Sequence, residues 1–109
     1  MTQQNNAEVS AKEAHDLWKR GAIKLLDVRG KEERQLARIE GVPMVDQDLS
    51  REIIGKWPKD TPIVLHCHHG IRSLDAASYF TAQGFTNVKS LTGGIDAWSN
   101  EVDPSVPKY

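Results

Sequence analysis

Apolar positions along this chain fall into two patterns, short continuous runs and helically spaced stripes, and their alternation predicts the order of its elements. Ser10 followed by Glu13 forms a capping-box pattern, and Ala14, Leu17 and Trp18 recur at helical spacing. This predicts a first helix over residues 11–19, closed by Gly21. Residues 23–28 form a short apolar run with polar residues at its exit, which reads as a buried strand, and residues 31–36 read as one or two helical turns. Gly41, Val42 and Pro43 mark a turn. Ser50 is a candidate cap for a helix through Trp57, which Pro58 stops. Ile63, Val64 and Leu65 make the most strand-like run, entered through Pro62 and ending abruptly at His66. A helix over residues 73–83 ending at Gly84, a strand over 88–91, and a short helix over 95–99 behind the Gly93–Gly94 turn complete the pattern.

Strands alternating with helices through short connections predict an α/β domain with a mainly parallel sheet. Reactive groups in such sheets sit beyond the carboxyl ends of the strands. Cys67, Asp27, Arg29 and the Gly93–Gly94 turn all fall at that edge.

At 109 residues the chain is expected to be one domain, over residues 8–101, between a flexible polar start at 1–7 and an irregular tail at 102–109. A net charge of −1 argues against a general nucleic-acid or anionic-membrane binder. No apolar run approaches the roughly 20 residues needed to cross a bilayer. The start lacks the basic and apolar regions of a secretory signal. One cysteine forms no internal disulfide, so the fold needs no oxidising compartment, and a cytoplasmic location is the expectation.

That cysteine stands in IVLHCHHGIRS, residues 63–73, where a buried strand delivers it to a short loop followed by a helix. Curled around the side chain, the amide N–H groups of residues 68–73 can form an anion-binding nest. The helix N-terminus adds its partial positive charge. Gly70 supplies the backbone freedom, and Arg72 a full positive charge. Each feature favours the thiolate, which is the nucleophile. A cysteine ending a core strand is often only a small, inert hydrophobe. The loop residues His68, His69, Gly70, Ile71, Arg72 and Ser73 turn the reading toward chemistry.

Three stretches in order resemble the rhodanese family, over nearly the whole chain. LLDVR with Glu33 and ARIEGV resembles its Asp-Val-Arg…Glu…Gly-His-Ile-Pro-Gly-Ala stretch; CHHGIRS resembles its active-site loop; LTGGIDAW resembles its late Gly-Gly…Ala-Trp element. Ala37, Arg38, Glu40 and Val42 depart from the pattern, in a loop outside the cysteine cradle. The resemblance implies a rhodanese-like fold, a parallel five-stranded sheet flanked by helices on both faces. It implies a sulfurtransferase that takes a sulfane sulfur from thiosulfate or a persulfide, holds it on Cys67, and passes it to cyanide, a thiol or a sulfur-carrier protein. It implies no metal or organic cofactor. On this reading Cys67 and Arg72 are the catalytic pair, the second attracting the anionic donor, and His68, His69, Gly70, Ile71 and Ser73 cradle the substrate. The ending EVDPSVPKY resembles that of rhodanese modules fused to enzymes that activate sulfur-carrier proteins, a pointer to such a partner.

Rival readings are separable. Cysteine-dependent phosphatases leave one residue more between cysteine and arginine, room for a tetrahedral phosphate; here four residues intervene, a ring that suits sulfur. A binding or regulatory module on the same fold, or a persulfide relay slow with thiosulfate, is the alternative from another class. His66, Cys67, His68 and His69 are adjacent, without the separated pairs typical of zinc sites. Asp27 and Arg29 read as supports that tie loops by charge-assisted hydrogen bonds, and Glu33 as structural. His15 reads as a surface residue, and Trp18, Trp57 and Trp98 as packed in or against the core.

Overall fold

The structure, a computed structural model, describes residues 7–109. The polar start, predicted to be flexible, thus lies outside the described residues save for Ala7, whose carbonyl accepts from Ser90 N–H at 2.7 Å.

The elements run β1 (Glu8–Val9), α1 (Ala11–Lys19), β2 (Lys24–Asp27), α2 (Lys31–Leu36), α3 (Gln47–Lys56), β3 (Ile63–His66), α4 (Ile71–Ala82), β4 (Val88–Leu91) and α5 (Gly94–Glu101). Helix α1 has the predicted bounds because Ser10 caps it, its hydroxyl accepting from Glu13 N–H at 3.2 Å. Helix α3 starts at Gln47, its cap four residues before the predicted cap Ser50. Asp46 reaches the Leu49 N–H at 2.8 Å, so the earlier of two competent caps takes the helix. Helix α4 begins at Ile71, two residues early, and α5 extends to Glu101.

All strand pairs are parallel, in the order β1-β4-β3-β2. Strand β1 was not predicted; two residues are too few to carry a period. The sheet has four strands among the described residues, which corrects the expected five. Beyond β2 the pairing is a single bridge, Asp27 with Met44, where Asp27 N–H donates to the Pro43 carbonyl and Val45 N–H to that of Asp27. Asp46 already caps α3 one residue later, so the chain leaves before a strand can extend.

The sheet is apolar on both sides, as a parallel sheet requires. On one face Val9, Leu25, Val64 and Leu91 pack against Ala11 and Ala14 of α1 and Ile95 and Trp98 of α5. On the other, Leu26, Ile63, Leu65 and Val88 pack against Ile53 of α3 and Ala77 and Phe80 of α4. Adjacent residues of a strand point to opposite faces, so Leu25 and Leu26 serve different layers. Trp98 is fully buried, while Trp18 and Trp57 are half-buried against the two cores. His15, expected at the surface, is half-buried with its ring edge-on to Trp98 at 5.3 Å, because its position on α1 faces α5. Among the described residues no helix is long and apolar enough to cross a membrane.

Candidate active site

Strand β3 ends at His66, and the next four residues turn the chain into α4 at the carboxyl edge of the sheet. Gly70 makes the turn with φ +101°, a left-handed conformation that side chains disfavour. A Cβ there would also press on Gly93 N at 3.1 Å and Leu91 O at 3.3 Å. The curl aims backbone donors at the cysteine: Gly70 N–H lies 3.1 Å and Ser73 N–H 3.3 Å from Cys67 Sγ, with the Ser73 hydroxyl at 3.4 Å. Cys67 is buried, yet belongs to neither apolar core cluster, since its side chain faces this ring of donors.

Burial pushes the Cys67 thiol up, but the Ser73 hydroxyl and the N–H groups of Ser73, Gly70 and Arg72 outweigh it and hold the group below its ordinary value. The far side of the loop is fixed by α5. Ile95 N–H donates to the Cys67 carbonyl at 2.8 Å and Asp96 N–H to that of His68 at 3.2 Å. With the carbonyls engaged outside, the N–H groups remain for the interior. Gly94 permits this approach: a Cβ on it would overlap the carbonyl oxygens of Cys67 and His68.

The predicted residues separate into distinct roles. Gly70 and Ser73 converge with Cys67 on one sulfur. Ile71 is 72% exposed, its side chain turned from the cradle. His68 and His69 stack at 3.9 Å beside the loop, and no hydrogen bond joins either to Sγ. Arg72 gives its guanidinium fork to Glu33, at 2.6 and 2.8 Å. Asp27 and Arg29 form a fully buried pair with contacts of 3.0 and 2.8 Å; Arg34 adds a third at 2.8 Å, and Arg29 also reaches the Ala37 carbonyl at 2.8 Å. Burial raises Asp27, and the arginine contacts outweigh it, so the carboxylate stays charged. This pair ties β2 to the loop behind α2, as charge-assisted bonds do.

His66, fully buried, lies beside Asp27 with Nε2 at 3.8 Å from Oδ2, and that nitrogen makes no hydrogen bond among the described residues. Burial pulls its pKa down to about 4, so the ring is neutral at pH 7 and the approach is no ion pair.

Three residues here were not singled out as functional from sequence. Glu33 holds Arg72, and that cation pushes its carboxyl down to about 2. Ser90 of β4, fully buried, sits 2.6 Å from the Ser73 hydroxyl and 3.3 Å from the Gly70 carbonyl; a serine inside a strand run was its signal. Tyr109 stacks on His68 at 3.9 Å, donates to Glu33 at 2.7 Å and accepts from Arg29 at 3.0 Å. An aromatic closing a polar, aperiodic stretch was the only hint.

Such a ring stabilises negative charge on sulfur, whether a thiolate or a sulfur bound to it. The chain resembles thiosulfate sulfurtransferase GlpE of Ectopseudomonas mendocina, 33% identical over 90 residues that cover 83% of this chain and 82% of that one. It resembles the probable adenylyltransferase/sulfurtransferase MoeZ of Mycobacterium tuberculosis at 34% over 89 residues, 80% of this chain and 23% of that protein. The crystal structure of a rhodanese-related protein from Thermoplasma volcanium superposes with a TM-score of 0.70 at 27% identity, covering 94% of this chain and 98% of that one. The sequence profile of the rhodanese-like domain matches residues 10–101, from the cap of α1 to the end of α5 and so around the whole cysteine loop. By that match, this chain belongs to the rhodanese-like domain family.

Proposed function

We propose that the protein is a sulfurtransferase that moves a sulfane sulfur from thiosulfate or a persulfide to a thiophilic acceptor through a persulfide on Cys67. The observation that carries this reading is the convergence of the Gly70 and Ser73 N–H groups, at 3.1 and 3.3 Å, on the sulfur of the only cysteine. The named activities of GlpE and MoeZ lend it support.

With thiosulfate, the Cys67 thiolate attacks the outer sulfur. The new S–S bond forms as the bond to the sulfonate sulfur breaks, and sulfite leaves with the electron pair. The product is Cys67–S–S⁻, covalent catalysis in which the loop amides carry the charge on sulfur throughout. An acceptor such as cyanide then attacks the outer sulfur, and the Cys67 thiolate is the leaving group. A thiol or a sulfur-carrier protein takes the same place in the second step. Nothing in either step calls on a metal or organic cofactor.

A persulfide relay that turns thiosulfate over slowly is the second reading, and one observation favours it: Arg72, the cation nearest the loop in sequence, is engaged by Glu33.

Intact-mass measurement after incubation with thiosulfate tests the proposal. One added sulfur atom, removed by cyanide, is expected on the wild type and none on Cys67→Ala. Sulfur carried equally by the alanine variant ends the case for Cys67.

A further inference from the structure

Residues 102–109 follow the last helix without regular structure, yet they are pinned to the molecule. Val106 is buried in the core beneath α1 and α5, and its carbonyl accepts from the Ser99 hydroxyl at 2.7 Å. Lys108 approaches Asp96 at 3.4 Å. These anchors deliver Tyr109 to the Cys67 loop, where its ring lies flat on His68, 3.9 Å between centroids and 10° between planes. Its phenol accepts from Arg29 at 3.0 Å and donates to Glu33 at 2.7 Å. Arg29 is itself immobilised by Asp27. A continuous chain of bonds thus runs from the buried Asp27–Arg29 pair through Tyr109 to Glu33, and ends on both Nη atoms of Arg72.

The carboxylate cancels the charge of Arg72, and its bidentate geometry occupies the fork that an incoming sulfonate would use. A small dianion arriving at Cys67 must compete with Glu33 for that fork and approach a second negative charge. A hydropersulfide, R–S–SH, carries no such requirement: Cys67–S⁻ attacks its outer sulfur, Cys67–S–SH forms, and the thiolate R–S⁻ leaves.

Building on the sulfurtransferase reading, we propose that Glu33, fastened in place by Tyr109, is a specificity-determining residue that occupies Arg72 and biases the Cys67 loop against small dianionic donors and toward hydropersulfides.

Two readouts on the wild type, Glu33→Gln and Tyr109→Phe test it. The first is the ratio of Cys67 alkylation rates by iodoacetate and iodoacetamide, reagents of like size that differ in charge; it needs no sulfur transfer. The second is sulfur loading from thiosulfate against loading from the hydropersulfide of 2-mercaptoethanol. Glu33→Gln raises the iodoacetate preference and lowers the thiosulfate KM by about two- to fivefold, as an exposed ion pair allows. Tyr109→Phe keeps the stacked ring, loses the hydrogen bond, and shifts both by about twofold in the same direction. Hydropersulfide loading changes little in either. An unchanged alkylation ratio in both variants, or a raised thiosulfate KM in folded Glu33→Gln, overturns the proposal. Failure of both donors to load sulfur on any form overturns the sulfurtransferase reading instead, whatever the alkylation ratio does.

Discussion

Cys67 Sγ, Ser73 Oγ and Ser90 Oγ form a buried line, with separations of 3.4 and 2.6 Å. Two hydroxyl arrangements satisfy it. Ser73 donates either to the sulfur, with Ser90 donating to Ser73, or to Ser90, which then donates to the Gly70 carbonyl at 3.3 Å. A charged acceptor is the stronger one, so the thiolate selects the first. Ser90→Ala removes the donor that turns Ser73 toward sulfur and leaves the Ser73 hydroxyl free to rotate. The pH profile of Cys67 alkylation is expected to move up in that variant, because Ser73 then donates to the sulfur less strongly. An unmoved profile would mean that the backbone donors alone set the sulfur's charge.

The loop owes its shape to α5 as much as to α4. The first turn of α5 takes up the carbonyls of Cys67 and His68, and this requires backbone contact at Gly94, whose φ is +62°. Gly94→Ala meets both penalties, a disfavoured conformation and overlap with two carbonyl oxygens. Urea unfolding should show a loss of about 2 kcal/mol or more, accompanied by a rise in the Cys67 pKa as the loop is pushed away. Stability and titration both unchanged would contradict this bracing role. How far such features were legible in the sequence follows from their separation along the chain. Cys67, Gly70 and Ser73 lie within one loop and helix start, so local pattern alone proposes their meeting. The partners of that loop lie far off: Glu33 is 39 residues from Arg72, Tyr109 is 76 from Glu33, and Ser90 is 17 from Ser73. Periodicity has no access to such pairs. The same limit explains β1, a strand of two residues visible only through its pairing with Ser90 and Leu91. The fifth strand expected from the resemblance is reduced to one bridge by the cap at Asp46, a cap the sequence contains but does not rank above Ser50.

Across the molecule, two apolar layers enclose a polar seam at the carboxyl edge of the sheet, where Asp27 and His66 pair in register. Folding takes His66 from its ordinary value of 6.5 to about 4, chiefly by burial. Between those values the unfolded chain binds more protons than the folded one. His66 therefore contributes full stability above pH 6.5, and loses it as pH falls through 4. The loss amounts to roughly 3 kcal/mol. Urea unfolding between about pH 7 and 4 should show this slope in the wild type, and a much flatter one in His66→Gln; parallel curves would contradict the assignment. The functional proposal depends on the neighbouring group, the Cys67 sulfur, being charged near neutral pH in the folded protein. The direct measurement is the rate of Cys67 alkylation by iodoacetamide against pH, on the native chain and on the same chain unfolded in urea. The native midpoint is predicted to lie below the unfolded one. A native midpoint equal to or above it would contradict the claim that the loop holds a thiolate.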